Sequence, residues 1–528
     1  MKRIFRLFIA LNLFVALFAT SYVAKAAGTE PTVSVKLANY LGNQSSITVE
    51  PSETYVIENS SLLLEKGKSY YVKVQSSGVA LYDGSSKLAD FASFKAIPST
   101  YSATLSINGR KYLGDMQFTN EGGKYVRPVN TVPMEDYLKG VVPKEIYTSW
   151  ALDALKAQAL AARTYAMTYV NRTVIDDTQN YQVYGGYEWH ERTTQAVDET
   201  FGQVVTYNGA LAQTVFSSSN GGYIESSYNY WGKTKLPYLE AKQDPYDPQR
   251  AWSQAITKKQ LDLTGKDLKN PSAWWDAAKE VDLIMANNIR AKMQAIGFAN
   301  KDIKIISVDD IKFYEPTTGQ RATKGDLTVK YVIKDQFDES GNLKISTWNL
   351  VGEKASSLKT MLNGIKMLNL YVTSIKSSEQ SIVIEGKGYG HGVGLSQYGA
   401  SSMASQGKSY REIISFYYPG TAITMSYNTK YPRSYVTIPP APSAPTANVL
   451  TTDSTAVQGK AAAGSDVYVK NGSTVIGQGK ADANGNYTIT IVKQPANAHI
   501  TITAKNLGGE SHASCCSRSA KSTSSADR

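Results

Sequence analysis

Residues 129–166 read VNTVPMEDYLKGVVPKEIYTSWALDALKAQALAARTYA, and within this stretch the pattern turns helical. Ser149 is a fair N-cap, because its hydroxyl can accept a hydrogen bond from the free amides of a first helical turn. After it, apolar side chains recur at steps of three and four residues, the period of one helix face, at Leu152, Leu155, Ala159, Ala162, Ala166 and Tyr169. The pattern predicts a helix over 149–171.

Glu145 lies just before this predicted helix, and two interpretations of it stay open. A carboxylate at a helix N-terminus is stabilised by the helix dipole and the free amides, which favours a capping role. A general acid instead needs an apolar wall that keeps it protonated near neutral pH. The neighbouring apolar side chains could supply such a wall: Val141, Val142, Ile146 and Trp150.

Outside this stretch the pattern divides the chain into further parts. Short strand-like runs separated by Gly and Ser clusters fill residues 28–130, and strands are expected again near 303–314, 326–334 and 381–385. Residues 253–300 resemble a helical insert in a core of 131–425. The Pro-rich stretch 438–447 predicts a stiff polyproline-type linker. A small β module over 446–510 and a polar, disordered tail over 511–528 follow.

Composition narrows the class of protein. The chain has 528 residues and a net charge of +11, which favours either binding to anionic polymers or simple solubility. Residues 1–26 combine a basic start, a short apolar run and a small-residue cleavage site, so they predict a signal peptide; an uncleaved membrane anchor is the alternative. The two cysteines, Cys515 and Cys516, are adjacent and provide no disulfide framework. The signal peptide favours the anionic polymers of a cell wall over nucleic acid.

Familiar catalytic motifs are missing from the sequence. The four histidines form no HExxH or H-x-H pair, and no GxSxG or phosphate-binding loop occurs, so no ordinary zinc site or serine nucleophile is indicated. A Gly-rich segment at 386–399 (GKGYGHGVGLSQYG) encloses His391 and Gln397. Such a segment is either a tight structural loop or a backbone that closely approaches a ligand.

Taken together, the two unusual stretches resemble the SpoIID/LytB family. The resemblance rests on EDYLKGVVPKEI…W…ALKAQALAARTYA and, about 230 residues later, GHGVGLSQYGA…YYPGT, with SSSNGGYIESSYNYWG…PYLEAKQDP between them. It covers roughly residues 30–425. It implies an α+β fold, in which a mixed core with a β-rich N-terminal part packs the helix at 149–171 on β structure. The module at 446–510 is similar to bacterial Ig-like sandwiches.

The resemblance also implies a function, namely lytic transglycosylase cleavage of peptidoglycan between N-acetylmuramic acid and N-acetylglucosamine, leaving a 1,6-anhydro end. The catalytic acid of the family's V-x-x-E-M segment falls on Glu145, with Ile146 in place of Met. Glu135 and Asp136 are expected to pack or cap before the strand. Other family members carry a metal through Cys and His residues, but this chain has no Cys in that region, so no zinc and no other cofactor are expected.

The remaining candidate residues are expected to contact the substrate. For Arg163 and His391 a structural role is the alternative. Arg163 would hold glycan polar groups or the Glu145 charge, or form a structural ion pair. His391 would bind sugar, position Glu145, or be a structural histidine. The other expected substrate contacts are Tyr165, Ser217, Ser219, Asn220, Tyr223 and Gln397.

A competing function comes from the LytB branch of the same family, whose members are described as enhancers of a cell-wall amidase. The expected partners are therefore peptidoglycan glycan strands and anionic wall polymers, and for the alternative a cell-wall amidase. A scaffold role in sporulation is a third interpretation. In each case the expected location is outside the cell, at the wall.

Overall fold

The protein is described by a computed structural model that covers residues 28–232, 234–433, 435–496 and 498–515. The predicted signal peptide at 1–26 lies outside the described residues. The described chain forms two compact units, of which one combines 28–31, 137–173 and 189–431 and the other 32–136, 174–188 and 432–515. None of the described helices is long and apolar enough to cross a membrane.

Among the described residues, helices are labelled in chain order: α1 Met134–Glu145, α2 Leu152–Met167, α3 Glu191–Glu199, α4 Ser227–Trp231, α5 Leu283–Ala295, α6 Ala355–Met361, α7 Gln397–Ser405 and α8 Tyr410–Tyr417, with a 3₁₀ turn at Pro271–Ala273.

The unit that contains residues 32–136 is built on two antiparallel sheets with one short parallel addition. The six-stranded sheet has the order Arg110–Leu113, Thr104–Ile107, Ser46–Pro51, Tyr70–Gln75, Gly78–Asp83 and Ser86–Phe91. The seven-stranded sheet has the order Ile175–Asp176, Thr32–Lys36, Tyr125–Pro133, Asp115–Glu121, Phe94–Pro98, Tyr55–Ile57 and Leu63–Leu64. Side chains alternate between buried and partly exposed along Thr32–Lys36, as expected for strands with one face on a core.

The C-terminal module is a sandwich of two sheets. One contains Thr446–Ala447, Ala456–Lys460 and Asn486–Thr490, and the other contains Thr474–Lys480, Asp466–Asn471, Ile500–Asn506, Gly509–Glu510 and Ser514–Cys515. Both sheets contribute to one core, in which Val457 and Ile489 from the first sheet join Val467 and Ile502 from the second. Together with the mixed first part, this is the α+β fold with an all-β sandwich that the sequence predicted.

Two predictions around this module need correction. The predicted stiff linker at 438–447 extends too far, because Thr446 and Ala447 already pair as a strand of the module with Lys460 and Gly459. The Asn506 side chain also donates to the Pro440 carbonyl over 3.0 Å. The disordered tail was placed too early, since Ser514 and Cys515 pair with the strand Ile500–Asn506. The rest of that tail, 516–528, lies outside the described residues.

The unit that contains residues 189–431 mixes helices with short sheets. Its strands are Gly28–Thr29, Gln203–Tyr207, Ala210–Leu211, Phe216–Ser217, Tyr223–Ile224, Lys242–Gln243, Ala251–Thr257, Ile303–Pro316, Ala322–Ile333, Ser346–Lys354, Val372–Ser377, Ser381–Lys387, Leu395–Ser396, Ala422–Met425 and Tyr427–Thr429. One core lies where α5 and α6 meet the strands between 251 and 387. A second core lies where α2 meets α7, α8 and the strand Gln203–Tyr207.

The helical insert predicted at 253–300 is wrong for most of its length. Residues Ala251–Thr257 form a strand paired with Ser381–Lys387, and a regular helix begins only at Leu283. Asp282 sets that start, since its carboxylate accepts a hydrogen bond from the Met285 amide over 2.9 Å. Trp274 and Trp275, which suggested helix, are buried in a small separate core.

The helix at the centre of the opening stretch exists, but its details differ from the prediction. It begins after Ala151, which makes no side-chain cap, rather than at Ser149, and it ends at Met167 rather than 171. Its surface is buried nearly all round, since small alanine side chains let neighbouring elements approach on several sides. The predicted single apolar stripe was therefore too narrow.

Candidate functional site

Glu145 is the last residue of α1, so it lies at a helix C-terminus, and α2 begins seven residues later at Leu152. The helix runs from Met134 and closes its last turn with the Ile146 amide donating to the Val142 carbonyl over 3.2 Å. Pro143 lies inside that turn, where its missing N–H leaves out one helical hydrogen bond. Glu145 lies before the predicted helix, as expected, but it is at the C-terminus of α1 and not at the N-terminus of α2. MEDYL opens α1 and does not precede a strand.

The polarity of the helix matters for the chemistry of Glu145. The partial charge at a helix C-terminus is negative, so it disfavours an added negative charge, whereas an N-terminus favours one. The capping role considered from the sequence required an N-terminus, and that requirement is not met. Glu145 is half-buried, so it keeps access to solvent.

Of the four apolar side chains expected to form a wall around Glu145, three are buried and one is partly exposed. Val141, Val142 and Ile146 are buried in the protein core. Trp150 is half-buried, and Tyr147, two residues after Glu145, has 60% of its surface exposed. The chain between α1 and α2 turns back through a hydrogen bond from the Trp150 amide to the Tyr147 carbonyl, 3.1 Å long.

Glu135 and Asp136 occupy the first turn of α1, where acidic side chains complement the dipole. Glu135 is buried, and Asp136 forms an ion pair with both Arg433 side-chain nitrogens that face it. These contacts favour packing and capping for both residues.

Three aromatic rings meet at the turn after Glu145. The centroids of Tyr147 and Trp150 are 5.2 Å apart, those of Trp150 and Tyr398 5.0 Å, and those of Tyr147 and Tyr398 6.3 Å. We call these three residues the aromatic cluster. Tyr398 comes from the Gly-rich segment, so the cluster joins the two stretches that the sequence singled out.

Arg163 lies on α2 and is fully buried. Its guanidinium donates to the Val197 carbonyl over 3.1 Å, to the Gln203 carbonyl and to the Thr200 hydroxyl. Val197 and Thr200 lie at the C-terminal end of α3, where a cation is favourable, and Gln203 begins the next strand. Tyr165 is half-buried, and its hydroxyl accepts from Tyr169 over 3.3 Å. A glycan role for both remains a prediction.

Ser219 and Asn220, both expected to bind sugar, lie with Ser396 around a buried carboxylate, Asp247. Its oxygens accept from the Ser219 hydroxyl over 2.8 Å, from the Asn220 amide over 2.8 Å and from the Ser396 hydroxyl over 2.6 Å. Asp244, three residues earlier, accepts from the Asn220 side chain over 2.6 Å and from Tyr417 over 2.8 Å. Burial raises the pKa of Asp244, and these hydrogen bonds oppose the rise.

Because these groups are buried and bonded to one another, the geometry favours a structural role for them. Ser219 and Asn220 have no exposed surface, and Ser217 accepts from the Gly392 amide over 3.1 Å. Tyr223 is half-buried, and its carbonyl accepts from Arg321 over 2.5 Å. Sugar contact by Ser217, Ser219, Asn220 and Tyr223 remains a prediction.

The glycines of the Gly-rich segment allow close approach of the protein to itself. Gly392 and Gly394 have φ values of +71° and +69°, a region that favours glycine. A Cβ at Gly392 would lie 2.1 Å from the Arg321 guanidinium, and one at Gly394 would lie 2.2 Å from the Val215 carbonyl oxygen. The tight structural loop is therefore the interpretation that the geometry supports.

His391 is neutral at physiological pH in this setting. Its Nδ1 accepts a hydrogen bond from the Val393 amide over 3.0 Å. Burial lowers the pKa of His391 to about 4, with the charge of Arg321 adding to the effect and a hydrogen bond to the Phe216 backbone opposing it. The ring packs against Tyr230 and Trp231, with centroids 5.8 Å and 5.3 Å away. Gln397, also in this segment, is buried and reaches the Gln158 side chain of α2 at 3.5 Å.

Sequence reasoning missed Asp247, Arg321 and Tyr398. Asp244 and Asp247 in QDPYDP were visible as an i, i+3 acidic pair, but nothing local showed that Ser219 and Ser396 would reach them. In the part of the chain that the structure describes, no group of three or more His, Cys, Asp or Glu side chains could hold a metal ion.

Comparison with known proteins places these residues in context. Residues 122–207 match the model of a family described as SpoIID, stage II sporulation protein, and residues 441–516 match that of Big_6, a bacterial Ig domain. The first match contains Glu145 and α2, and the second contains the C-terminal sandwich.

Three whole proteins are also similar. A protein of Bacillus subtilis (strain 168) named amidase enhancer is 41% identical over 394 residues, covering 73% of this chain and 54% of that protein. An uncharacterized protein of Brachyspira hyodysenteriae (strain ATCC 49526 / WA1) is 33% identical, covering 61% of this chain and 74% of that protein. The stage II sporulation protein D of Bacillus subtilis (strain 168) is 27% identical, covering 56% and 76%. The chain spans about half the length of the amidase enhancer.

Proposed function

The chain belongs to the SpoIID/LytB family, and we propose that it cleaves the glycan strands of peptidoglycan as a lytic transglycosylase, with Glu145 as the acid. The family and its named members give it a role related to the cell wall. The glycan as substrate, the reaction and the residue are our proposal.

The observation that carries the proposal is the position of Glu145 at the C-terminal end of α1, half-buried and next to a solvent-exposed aromatic side chain. A general acid must hold its proton until the leaving oxygen takes it. A helix C-terminus has no free amide N–H groups that would cap a carboxylate, so the capping role considered from the sequence does not compete with this one.

One carboxyl group is sufficient for this reaction. The Glu145 proton passes to the glycosidic oxygen as the bond from that oxygen to C1 of the muramic acid breaks. The C6 hydroxyl of the same sugar then attacks C1, and its proton returns to Glu145, so the sugar leaves with a 1,6-anhydro ring and the enzyme is restored. A hydrolase would need a second carboxylate for water or as the nucleophile.

The test is a product analysis. The full-length protein is incubated with glycan strands freed of stem peptides, and 1,6-anhydro ends are measured by mass spectrometry. Glu145→Gln, which keeps the shape of the side chain and removes its acidic proton, should form none above background. Glu379→Gln, at an exposed glutamate of the same unit, is the matched control and should act like the wild type. Equal products from the wild type and Glu145→Gln would reject the assignment.

A second candidate function is favoured by one specific finding, the 41% identity with the amidase enhancer. Here the protein would bind the wall and stimulate a cell-wall amidase without cutting glycan. Amidase hydrolysis of purified walls, measured with and without the protein, distinguishes the two. Stimulation that survives in Glu145→Gln, with no anhydro ends formed by either protein, would favour the enhancer.

Location and further partners are part of the same proposal. A net charge of +11 would attract the protein to anionic wall polymers at low ionic strength. The Ig-like module would then act as a spacer or a wall-binding element outside the cell. Binding to isolated walls should weaken as salt is raised, and binding that is indifferent to salt would contradict the electrostatic part.

A further inference from the structure

We infer that the aromatic cluster of Tyr147, Trp150 and Tyr398 is a subsite that binds a sugar ring of the glycan by stacking, beside the bond that Glu145 cleaves. The inference rests on the proposed function and names a binding element for it. Two members of the cluster follow the acid closely in the chain. Tyr147 is two positions after Glu145, so their Cα atoms are at most about 7 Å apart.

Backbone hydrogen bonds in the α1–α2 turn hold the two residues of the cluster that lie there, Tyr147 and Trp150. The Trp150 amide donates to the Tyr147 carbonyl over 3.1 Å, and the Trp150 carbonyl accepts from the Arg192 guanidinium over 2.7 Å. These contacts fix the backbone that carries two of the rings, so little conformational entropy remains to be lost when a ligand binds.

The third ring is held from the Gly-rich segment. The Tyr398 amide donates to the Ser218 carbonyl over 3.1 Å, and the Ser396 hydroxyl caps the first turn of α7 through the Gly399 amide over 3.0 Å. Arg250 lies over the Tyr398 ring at 4.7 Å and donates to its hydroxyl over 3.1 Å. The buried carboxylate of Asp247, which binds Ser396, thereby anchors Tyr398 in turn.

The chemistry of the cluster fits a carbohydrate better than an apolar ligand. The face of an aromatic ring is negative and attracts the C–H groups on the flat side of a pyranose. Two tyrosine hydroxyls and the exposed Arg250 guanidinium surround the rings and can bond the hydroxyl and carbonyl oxygens of a sugar. Tyr147, with 60% of its surface exposed, has ring surface available to a ligand.

The experiment measures binding apart from cleavage. In a Glu145→Gln background, affinity for glycan strands freed of stem peptides is measured by calorimetry for the parent and for an added Tyr147→Ala. Losing one stacked ring should weaken binding about five- to tenfold. Tyr147→Phe keeps the ring and should bind within about twofold of the parent. Tyr435→Ala, at an exposed tyrosine of the other compact unit, is the matched control and should not change affinity.

The outcomes separate the subsite from the catalytic proposal. Equal affinity of the parent and Tyr147→Ala, or no binding by the parent, overturns the subsite whether or not wild type forms anhydro ends. Loss of amidase stimulation in Tyr147→Ala with glycan affinity unchanged also overturns it and assigns the cluster to a protein partner. Weaker glycan binding in Tyr147→Ala, restored in Tyr147→Phe, supports the subsite even if Glu145 proves not to be the acid.

Discussion

The α1–α2 turn at 146–151 and the Gly-rich segment at 386–399 were equally conspicuous in the sequence, yet they differ in burial. The turn exposes an aromatic ring next to a half-buried glutamate. The Gly-rich segment packs against the protein, and Ser396, at its end, binds a buried carboxylate. The difference shows that two equally conspicuous motifs can differ in burial, and we expect the exposed one to be where a ligand binds.

The largest effect is expected for Glu145→Gln. Loss of a general acid costs about 10²- to 10⁴-fold in rate, while a substitution at a half-buried position of similar shape should change the free energy of unfolding by about 0.5 kcal/mol or less. Rates of anhydro-end formation and urea unfolding curves measure the two quantities. If Glu145→Gln lowers the free energy of unfolding enough to explain the lost activity, Glu145 has a structural role and not a catalytic one.

Asp247→Asn should produce the reverse pattern. The substitution removes the charge that four protein donors share, from Ser219, Asn220, Gln249 and Ser396, and places an amide N–H against one of them. We therefore expect a loss of about 3 kcal/mol in the free energy of unfolding. Urea unfolding monitored by circular dichroism gives the value. Asp276→Asn, at an exposed aspartate of the same unit, is the control. Full stability of Asp247→Asn would show that the network around Asp247 does not hold the Gly-rich segment.

Gly394→Ala should cost more than about 2 kcal/mol, since it adds a clash with the Val215 carbonyl to an unfavourable φ. Gly407 has a φ of +79° and open space where a Cβ would lie, so Gly407→Ala should cost only about 1 kcal/mol. The difference between the unfolding free energies of the two variants measures the cost of the clash with the Val215 carbonyl, apart from the cost of the positive φ. Equal losses would mean that backbone conformation alone requires glycine at 394.

The smallest effect is expected in the pH dependence that His391 confers. With a folded pKa of about 4 and an unfolded pKa of about 6.5, the unfolded chain binds a proton here that the folded chain does not. Stability should therefore fall as pH drops from 6.5 towards 4, by on the order of 2 kcal/mol.

His391→Asn tests this, because an Asn oxygen can still accept from the Val393 amide but does not titrate. Unfolding free energies at pH 7 and pH 4.5 should differ less in the variant than in the wild type. An unchanged difference would mean that the ring titrates normally and is open to solvent.

The opening stretch shows how much of the fold local pattern carries. The periodicity of 152–166 predicted a helix that exists, and the strand-like runs of 28–130 form the strands of two sheets. The insert at 253–300 failed because a run with Trp274 and Trp275 fits a helix and a buried turn equally well by composition. The corrected boundaries depend on Asp282 and on pairing with a strand about 130 residues later.

The sequence by itself indicated the family and the α+β class, because motifs and residue periodicity are local. Glu145 became the candidate acid through the family resemblance, since its own neighbours left a capping role equally open. Only the tertiary structure showed that Glu145 ends a helix. It also showed that Ser219 and Ser396, which are far apart in the chain, both donate to the buried carboxylate of Asp247. It also brought Tyr398 to Tyr147 and Trp150. The physical reason is that a hydrogen bond or ring contact between residues far apart in the chain leaves no periodic signal, and appears only when packing brings the partners together.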